Sequence, residues 1–192
     1  MAASRGCGCL AALNAEAGVK VSVAELDAMA EPQASELLAQ CCGASRWVSG
    51  MLARRPFRSR AAVLSAADEI WRSLDPADWR EAFSHHPRIG ERKSALPQSE
   101  RAAVWAAGEQ AGVEPAGDRV RAELAAANRE YEQRFGYIYI VFATGKGAEE
   151  MLALARERLR NDPDVELRAA AEEQRKVTRL RLDKLLDKGR VA

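Results

Sequence analysis

Three ionisable side chains sit where helical geometry expects apolar ones, and together they could move a proton beside a bound anion. His86 lies seven, four and three residues beyond Trp79, Ala82 and Phe83, so a helix opening at Pro76 puts all four on one face. Its neighbour His85 points elsewhere. Pro87 disfavours helical geometry at the residue before it, which leaves His86 at the helix end, where unpaired carbonyls favour an imidazolium and a proton near neutral pH. Arg158 falls near the middle of an arc of about 160° traced by Met151, Leu152, Leu154, Ala155 and Leu159, at 3.6 residues per turn, whereas Arg156 and Arg160 project to the opposite side. A guanidinium held there keeps its proton and demands an anionic partner, a carboxylate of the chain or of a ligand. Glu109 repeats the theme three to seven residues after Ala102, Trp105 and Ala106, on a face made less clean by Val104. Each has a structural reading as well: a satisfied core histidine, a snorkelling or paired arginine, a glutamate bordering the core. A functional reading requires that the three converge, which spacing alone does not decide.

The elements that must position them are helical. Ser22 opens a helix and Glu25, three residues on, completes a capping box. A second helix starts at Pro32 and reaches Gly43, a good terminator, and a third runs from Ser45 with Trp47, Val48, Met51 and Leu52 at helical spacing. Arg55, Pro56 and Phe57 break it. Ser59 caps a longer helix striped by Val63, Ala67, Ile70 and Leu74, and Asp75 followed by Pro76 starts the one that ends at His86. Loop follows around Pro87, Gly90 and Pro97, then an Ala-rich helix from Ser99 to Ala111 that carries Glu109. A further helix holds Val120, Leu124, Ala127 and Tyr131 and stops at Gly136. Residues 137–142 have strand propensity with no second strand to pair with, so a buried extended or helical segment near 135–143 is expected. Two more helices run from Ala148 to Arg160 and from Asp164 to Leu186. The expectation is one all-α domain of about eight or nine helices over residues 21–187, with a loosely ordered lead-in at 1–20 and a short tail at 188–192.

A chain of 192 residues fits a single core, and 29 basic against 28 acidic residues provide no overall field that would draw it to nucleic acid or an anionic membrane. Cys7, Cys9, Cys41 and Cys42 match neither zinc-site spacing nor a disulfide framework, so reduced thiols in a cytoplasmic protein are expected. No apolar run approaches the ~20 residues that span a bilayer, and no secretory signal is evident. His85 and His86 diverge on a helix and lack helix-spaced co-ligands, which argues against a metal. Thr144, Gly145, Lys146 and Gly147 lack the spacing of a phosphate loop and read as a turn. In the last helix Arg175, Lys176, Arg179, Arg181 and Lys184 alternate with Glu172, Glu173, Asp183 and Asp187, a solvated ion-paired face rather than a nucleic-acid surface.

Four motifs in register carry a family resemblance. Phe83-Ser84-His85-His86-Pro87-Arg88-Ile89-Gly90, the pair Glu109-Gln110, the stretch from Asn128 through Tyr131 to Arg134-Phe135-Gly136-Tyr137, and Arg158-Leu159 with Asn161-Asp162 resemble the OHCU decarboxylase family (2-oxo-4-hydroxy-4-carboxy-5-ureidoimidazoline decarboxylase). The resemblance covers about residues 35–187. It implies an all-α homodimer that needs no metal or organic cofactor and converts its small-molecule substrate to (S)-allantoin and carbon dioxide. It also implies His86 as the acid/base, Glu109 and Arg158 beside it, and substrate contacts from Pro87, Gln110, Phe135, Gly136, Tyr137, Ile138 and Tyr139. Where the family usually has Ser, three residues before the Glu, this chain has Ala106, which withholds one expected hydrogen bond. Two rivals remain open: a non-catalytic helical interaction module, with the three side chains separate or paired off, and a metal-dependent hydrolase using both histidines as ligands.

Overall fold

The computed structural model describes residues 20–89, 99–113 and 117–186. Most of the 1–20 lead-in and all of the 188–192 tail lie outside them, as do Cys7 and Cys9. Nine α-helices and one 3₁₀ turn (Ala111–Val113) make up the described residues: α1 Val23–Ala28, α2 Glu31–Ala39, α3 Ser45–Ala53, α4 Arg60–Ser73, α5 Pro76–Ser84, α6 Glu100–Glu109, α7 Asp118–Phe135, α8 Ala148–Arg158 and α9 Pro163–Leu185. Their starts are set locally. Ser22, Ser59, Asp75 and Ser99 each accept a backbone N–H of the first turn through the side chain, with full capping boxes at Ser22 and Asp75. Gly136, at φ 77°, ends α7 in the left-handed conformation that an L side chain resists.

Gly43 does not end α2, which stops at Ala39. Its requirement is close approach: a Cβ there would stand 2.3 Å from His85 Cγ. α9 is the central strut, buried from Glu166 to Leu185 along one side and packed on α4 and α5, while α7 packs on α8. Trp47 and Trp71 are buried with their indole N–H groups donated to the Ala67 and Ala171 carbonyls at 3.1 and 3.0 Å, so neither loses a hydrogen bond on burial. Cys41 and Cys42 are free thiols inside this core, and burial pushes them up to about 12 and about 11, leaving both protonated and unreactive at neutral pH.

The segment from Tyr137 to Ala143 is mostly buried, and among the described residues it joins neither a helix nor a sheet. Side chains supply the missing partners instead. A β-bridge between Val21 and Leu186 ties the start of the described chain to its end. No described helix is long and apolar enough to cross a membrane.

Candidate active site

His85 caps α5 and His86 follows it, with its backbone N–H donated to the Phe83 carbonyl at 3.0 Å. The imidazole forms one wall of a cavity of about 410 Å³. Pro87, Ala106, Glu109, Gln110 and Tyr139 line the same cavity, with Ile89, residues 140–144 and Val177. His86 and Glu109, chosen from separate helices by their spacing, therefore face one space. A module whose polar residues served only packing would not need it.

The charge state of His86 departs from the sequence expectation. Burial, then the positive charge of Arg181, and to a lesser degree His85, push its pKa well below the ordinary histidine value, against a hydrogen bond to Gln174 that raises it. The carbonyls at the end of α5 favour the imidazolium, but desolvation and a nearby guanidinium outweigh them. His86 rests as a neutral imidazole at pH 7, a base before it is an acid.

Glu109 is the last residue of α6, where the helix dipole is unfavourable to a carboxylate, and it is buried. Arg181 compensates. Its Nε and Nη2 donate to the two carboxylate oxygens at 3.1 and 2.9 Å, and the Lys184 ammonium stands 3.5 Å from Oε1. Arg181 also donates to the Gln40 carbonyl at 3.4 Å and lines an adjoining cavity of about 820 Å³ that shares His86 and also includes His85 and Ala102. The Glu109–Arg181 pair and His86 thus stand between two spaces.

Arg158 is not brought to either. Its Nε and Nη2 donate to Glu166 Oε1 at 2.8 and 2.5 Å, its Nη1 to the Ile140 carbonyl at 2.7 Å, and its Nη2 to the Tyr131 hydroxyl at 3.3 Å. The guanidinium lies 5.0 Å from the Tyr139 ring centroid and 5.8 Å from that of Tyr131. Glu166 is fully buried and receives further bonds from the Tyr131 hydroxyl and from Asn161 Nδ2 at 2.7 Å. The anion that an inward Arg158 requires is a carboxylate of the chain itself.

The stretch that the resemblance offers for substrate contact divides between two cavities. Tyr139 reaches the His86–Glu109 cavity, together with residues 140–144, whereas Gly136, Tyr137 and Ile138 line a third cavity of about 570 Å³ that also touches His86. Phe135 lines neither, and packs against Tyr131 and Tyr137. Sequence reasoning missed Ile140, Val141, Gln174 and, above all, Arg181. Arg175 and Lys176 do make the expected ion pairs with Glu172 and Glu173, while Arg175 and Arg179 also reach Asp68 on α4. Arg181, whose side chain is 4% exposed, does not belong to that face. The signal was its phase: Gln174, Val177, Thr178, Arg181 and Leu185 repeat at three- and four-residue spacing and are all buried. Among the described residues no cluster of three or more His, Cys, Asp or Glu stands ready for a metal.

Comparison with known proteins places this architecture in a class and then in a family. The fold superposes on a crystal structure of (S)-allantoin synthase with a TM-score of 0.66, covering 87% of this chain and 55% of that one, and at 14% identity it is the helical fold that is shared. A crystal structure of OHCU decarboxylase in the presence of (S)-allantoin matches at TM-score 0.67 and 35% identity, over 78% of this chain and 96% of the other. The model of the OHCU decarboxylase family matches residues 27–183, and the chain belongs to that family. It is 38% identical over 152 residues to the uric acid degradation bifunctional protein TTL of Arabidopsis thaliana, spanning 79% of this chain and 47% of that protein. It is 30% identical over 135 residues to the 2-oxo-4-hydroxy-4-carboxy-5-ureidoimidazoline decarboxylase of Amia calva, spanning 69% of this chain and 75% of that one.

Proposed function

We propose that this chain, a decarboxylase by family, converts 2-oxo-4-hydroxy-4-carboxy-5-ureidoimidazoline to (S)-allantoin and carbon dioxide, with His86 as acid/base, Glu109 as hydrogen-bond acceptor and Arg181 in the anion-binding place first given to Arg158. The observation that carries this reading is the convergence of His86, Glu109 and Arg181, from three different elements, around adjoining cavities. Charge supports the exchange of arginines. Arg158 and Glu166 cancel, whereas Arg181 and Lys184 share one carboxylate, which leaves a net positive charge beside His86 for an anionic substrate.

The chemistry follows from those states. The bond between ring carbon and carboxylate breaks, carbon dioxide leaves, and the bond's electron pair passes into the neighbouring imine, whose nitrogen takes one proton from water. The enol that results becomes allantoin when its hydroxyl proton is removed, which makes the decarboxylated carbon a carbonyl, and a proton is delivered to the former imine carbon, the one that bears the ureido group. A neutral His86 performs both steps in that order, and delivery from its one side sets the stereochemistry. General acid–base help of this kind supplies about 10²–10⁴ in rate, with orientation supplying much of the rest. Glu109 accepts from ring or ureido N–H groups, and Ala106, which lines the cavity, offers no hydroxyl.

The test is to generate the unstable substrate in situ from urate with the two upstream enzymes, add this protein, and follow optically active allantoin by circular dichroism. Formation well above the spontaneous background is expected; a rate equal to that background overturns the proposal. On the family resemblance we also propose a cytoplasmic homodimer that works without a bound cofactor. Sedimentation at twice the chain mass of 21.0 kDa is the expected result for the first of these.

A further inference from the structure

We propose that Arg158 is a positioning residue for the reaction: without reaching the cavity, its guanidinium holds the Ile140 carbonyl and thereby fixes which backbone groups residues 140–143 present to the substrate. The inference rests on the decarboxylase reading for its consequence, but its geometry stands apart from it.

Residues 137–143 belong to no helix and to no strand among the described residues, so something else must fix their rotation about the chain axis. Three side chains do. Arg158 Nη1 donates to the Ile140 carbonyl at 2.7 Å, Glu173 Oε2 accepts the Phe142 N–H at 2.7 Å, and Lys146 Nζ donates to the Phe142 carbonyl at 2.9 Å. The peptide bonds here are trans, and in a trans peptide the carbonyl and N–H point in opposite directions. Holding the Ile140 carbonyl therefore turns the Val141 N–H away from Arg158. Holding the Phe142 N–H likewise turns the Val141 carbonyl away from Glu173.

Val141 is buried, lines the His86–Glu109 cavity, and neither of its backbone groups has a hydrogen-bond partner among the described residues. A buried donor and acceptor left unpaired are costly, and a ligand amide that meets both removes that cost. The clamp thus holds ready an adjacent N–H and C=O, the pattern that complements the amide groups of a ureido compound.

The clamp is built not to swing. Glu166 takes two of the Arg158 donors, the Tyr131 hydroxyl and Asn161 on its two oxygens, and the Tyr139 ring covers the guanidinium. The Arg158 and Glu166 side chains are 12% and 0% exposed, so both charges bear a desolvation penalty that a well-packed apolar pair would avoid. Fold stability alone does not require this arrangement. What the ion pair adds is a fixed direction for one backbone carbonyl.

Arg158→Met alone strands the Glu166 charge, so the informative variants are Arg158→Met with Glu166→Leu, which removes both charges, and Arg158→Lys, which keeps the charge as a compact ammonium without the planar fork that spans Glu166 and the Ile140 carbonyl. The double variant should melt near the parent temperature. Its amides at 139–143 should exchange faster while those of α7 and α9 hold. Binding of (S)-allantoin by calorimetry should weaken, and KM should rise, by roughly 3- to 10-fold, the loss of one well-held hydrogen bond, with kcat falling less. Arg158→Lys should show the same KM bias with a smaller exchange change. Unchanged exchange at 139–143 in the double variant overturns the clamp whether or not the protein decarboxylates. Faster exchange with unchanged KM and (S)-allantoin affinity overturns its functional consequence, and kinetic losses that track the melting temperature assign Arg158 to stability alone.

Discussion

Replacing Arg181 by Met tests the site through two quantities that move in opposite senses. The change removes bonds of 3.1 and 2.9 Å to Glu109 and leaves a carboxylate that is 8% exposed without its main counter-charge. Breaking a buried pair from one side costs about 3–5 kcal/mol, and Lys184, already 3.5 Å from Oε1, holds the loss near the lower figure. At about 2–4 °C per kcal/mol for a domain of this size, the melting temperature should fall by roughly 6–12 °C. Turnover per folded molecule should fall by roughly 10- to 150-fold, the worth of one hydrogen bond to a charged group. The second quantity is the acid limb of kcat/KM, which reports protonation of His86 in the free enzyme. Burial is the larger cause of its depressed pKa and the Arg181 charge the next, so the variant should move the limb up, to a value still below the ordinary 6.5. The assay is the circular-dichroism progress curve across pH, normalised to folded protein from parallel melts, with Arg181→Lys keeping the charge and holding the limb nearer its parent position. A limb that stays fixed or moves down in Arg181→Met refutes the coupling. Turnover near the parent value refutes the anion-binding role.

Three further outcomes are expected. His86→Asn should fold normally and lose at least ~10² in turnover, the lower end for a general acid or base, while His85→Asn keeps most of it; comparable losses in both, measured with melts alongside, would remove the distinction between the two histidines. Because the folded-state pKa of His86 is depressed, the unfolded chain binds the extra proton first as pH falls, so its contribution is whole above about pH 6.5 and is lost below it at about 1.4 kcal/mol per pH unit. Urea titrations should show that slope in the parent and a shallower one in His86→Asn, and equal slopes would contradict the buried neutral imidazole. Gly112→Ala would bring a Cβ to 2.0 Å from the Lys146 carbonyl, so the backbone must part there at a cost of about 1–3 kcal/mol. Since the Lys146 ammonium holds Phe142, KM should rise as the melting temperature falls, and an unchanged KM would show that the turn is independent of the cavity wall.

What the sequence made legible is what short-range geometry determines. The caps at Ser22, Ser59, Asp75 and Ser99 are three-residue interactions, and the stop of α7 at Gly136 is a single-residue property. His86 and Glu109 could be chosen by phase because one follows directly on a short helix and the other ends one, each with a clean enough apolar side. That residues 137–143 form a buried segment was legible, but not which part of it faces the cavity, because its rotation is set by Arg158 and Glu173 from α8 and α9 and by Lys146 in the turn before α8, none of which backbone propensity can see.

The two arginines show the limit most clearly. Arg158 and Arg181 carry the same signature, a guanidinium in phase with buried residues, but the acidic residues interleaved along α9 mask it at Arg181, where only the angle around the helix separates it from the ion-paired face. Even with both in view, phase gives the direction of a side chain and not the charge it meets. Glu166 is eight residues from Arg158, whereas Glu109 is 72 residues from Arg181. The first pair closes on itself through Tyr131 and Asn161 and holds the backbone. The second admits another cation, Lys184, to the same carboxylate, and the resulting excess of positive charge beside a neutral imidazole is what an anionic substrate can use. The difference between an arginine that holds the backbone and one proposed to meet the substrate therefore lies in whether the chain's own carboxylate is fully matched, a quantity set by tertiary partners that neither residue's helix encodes.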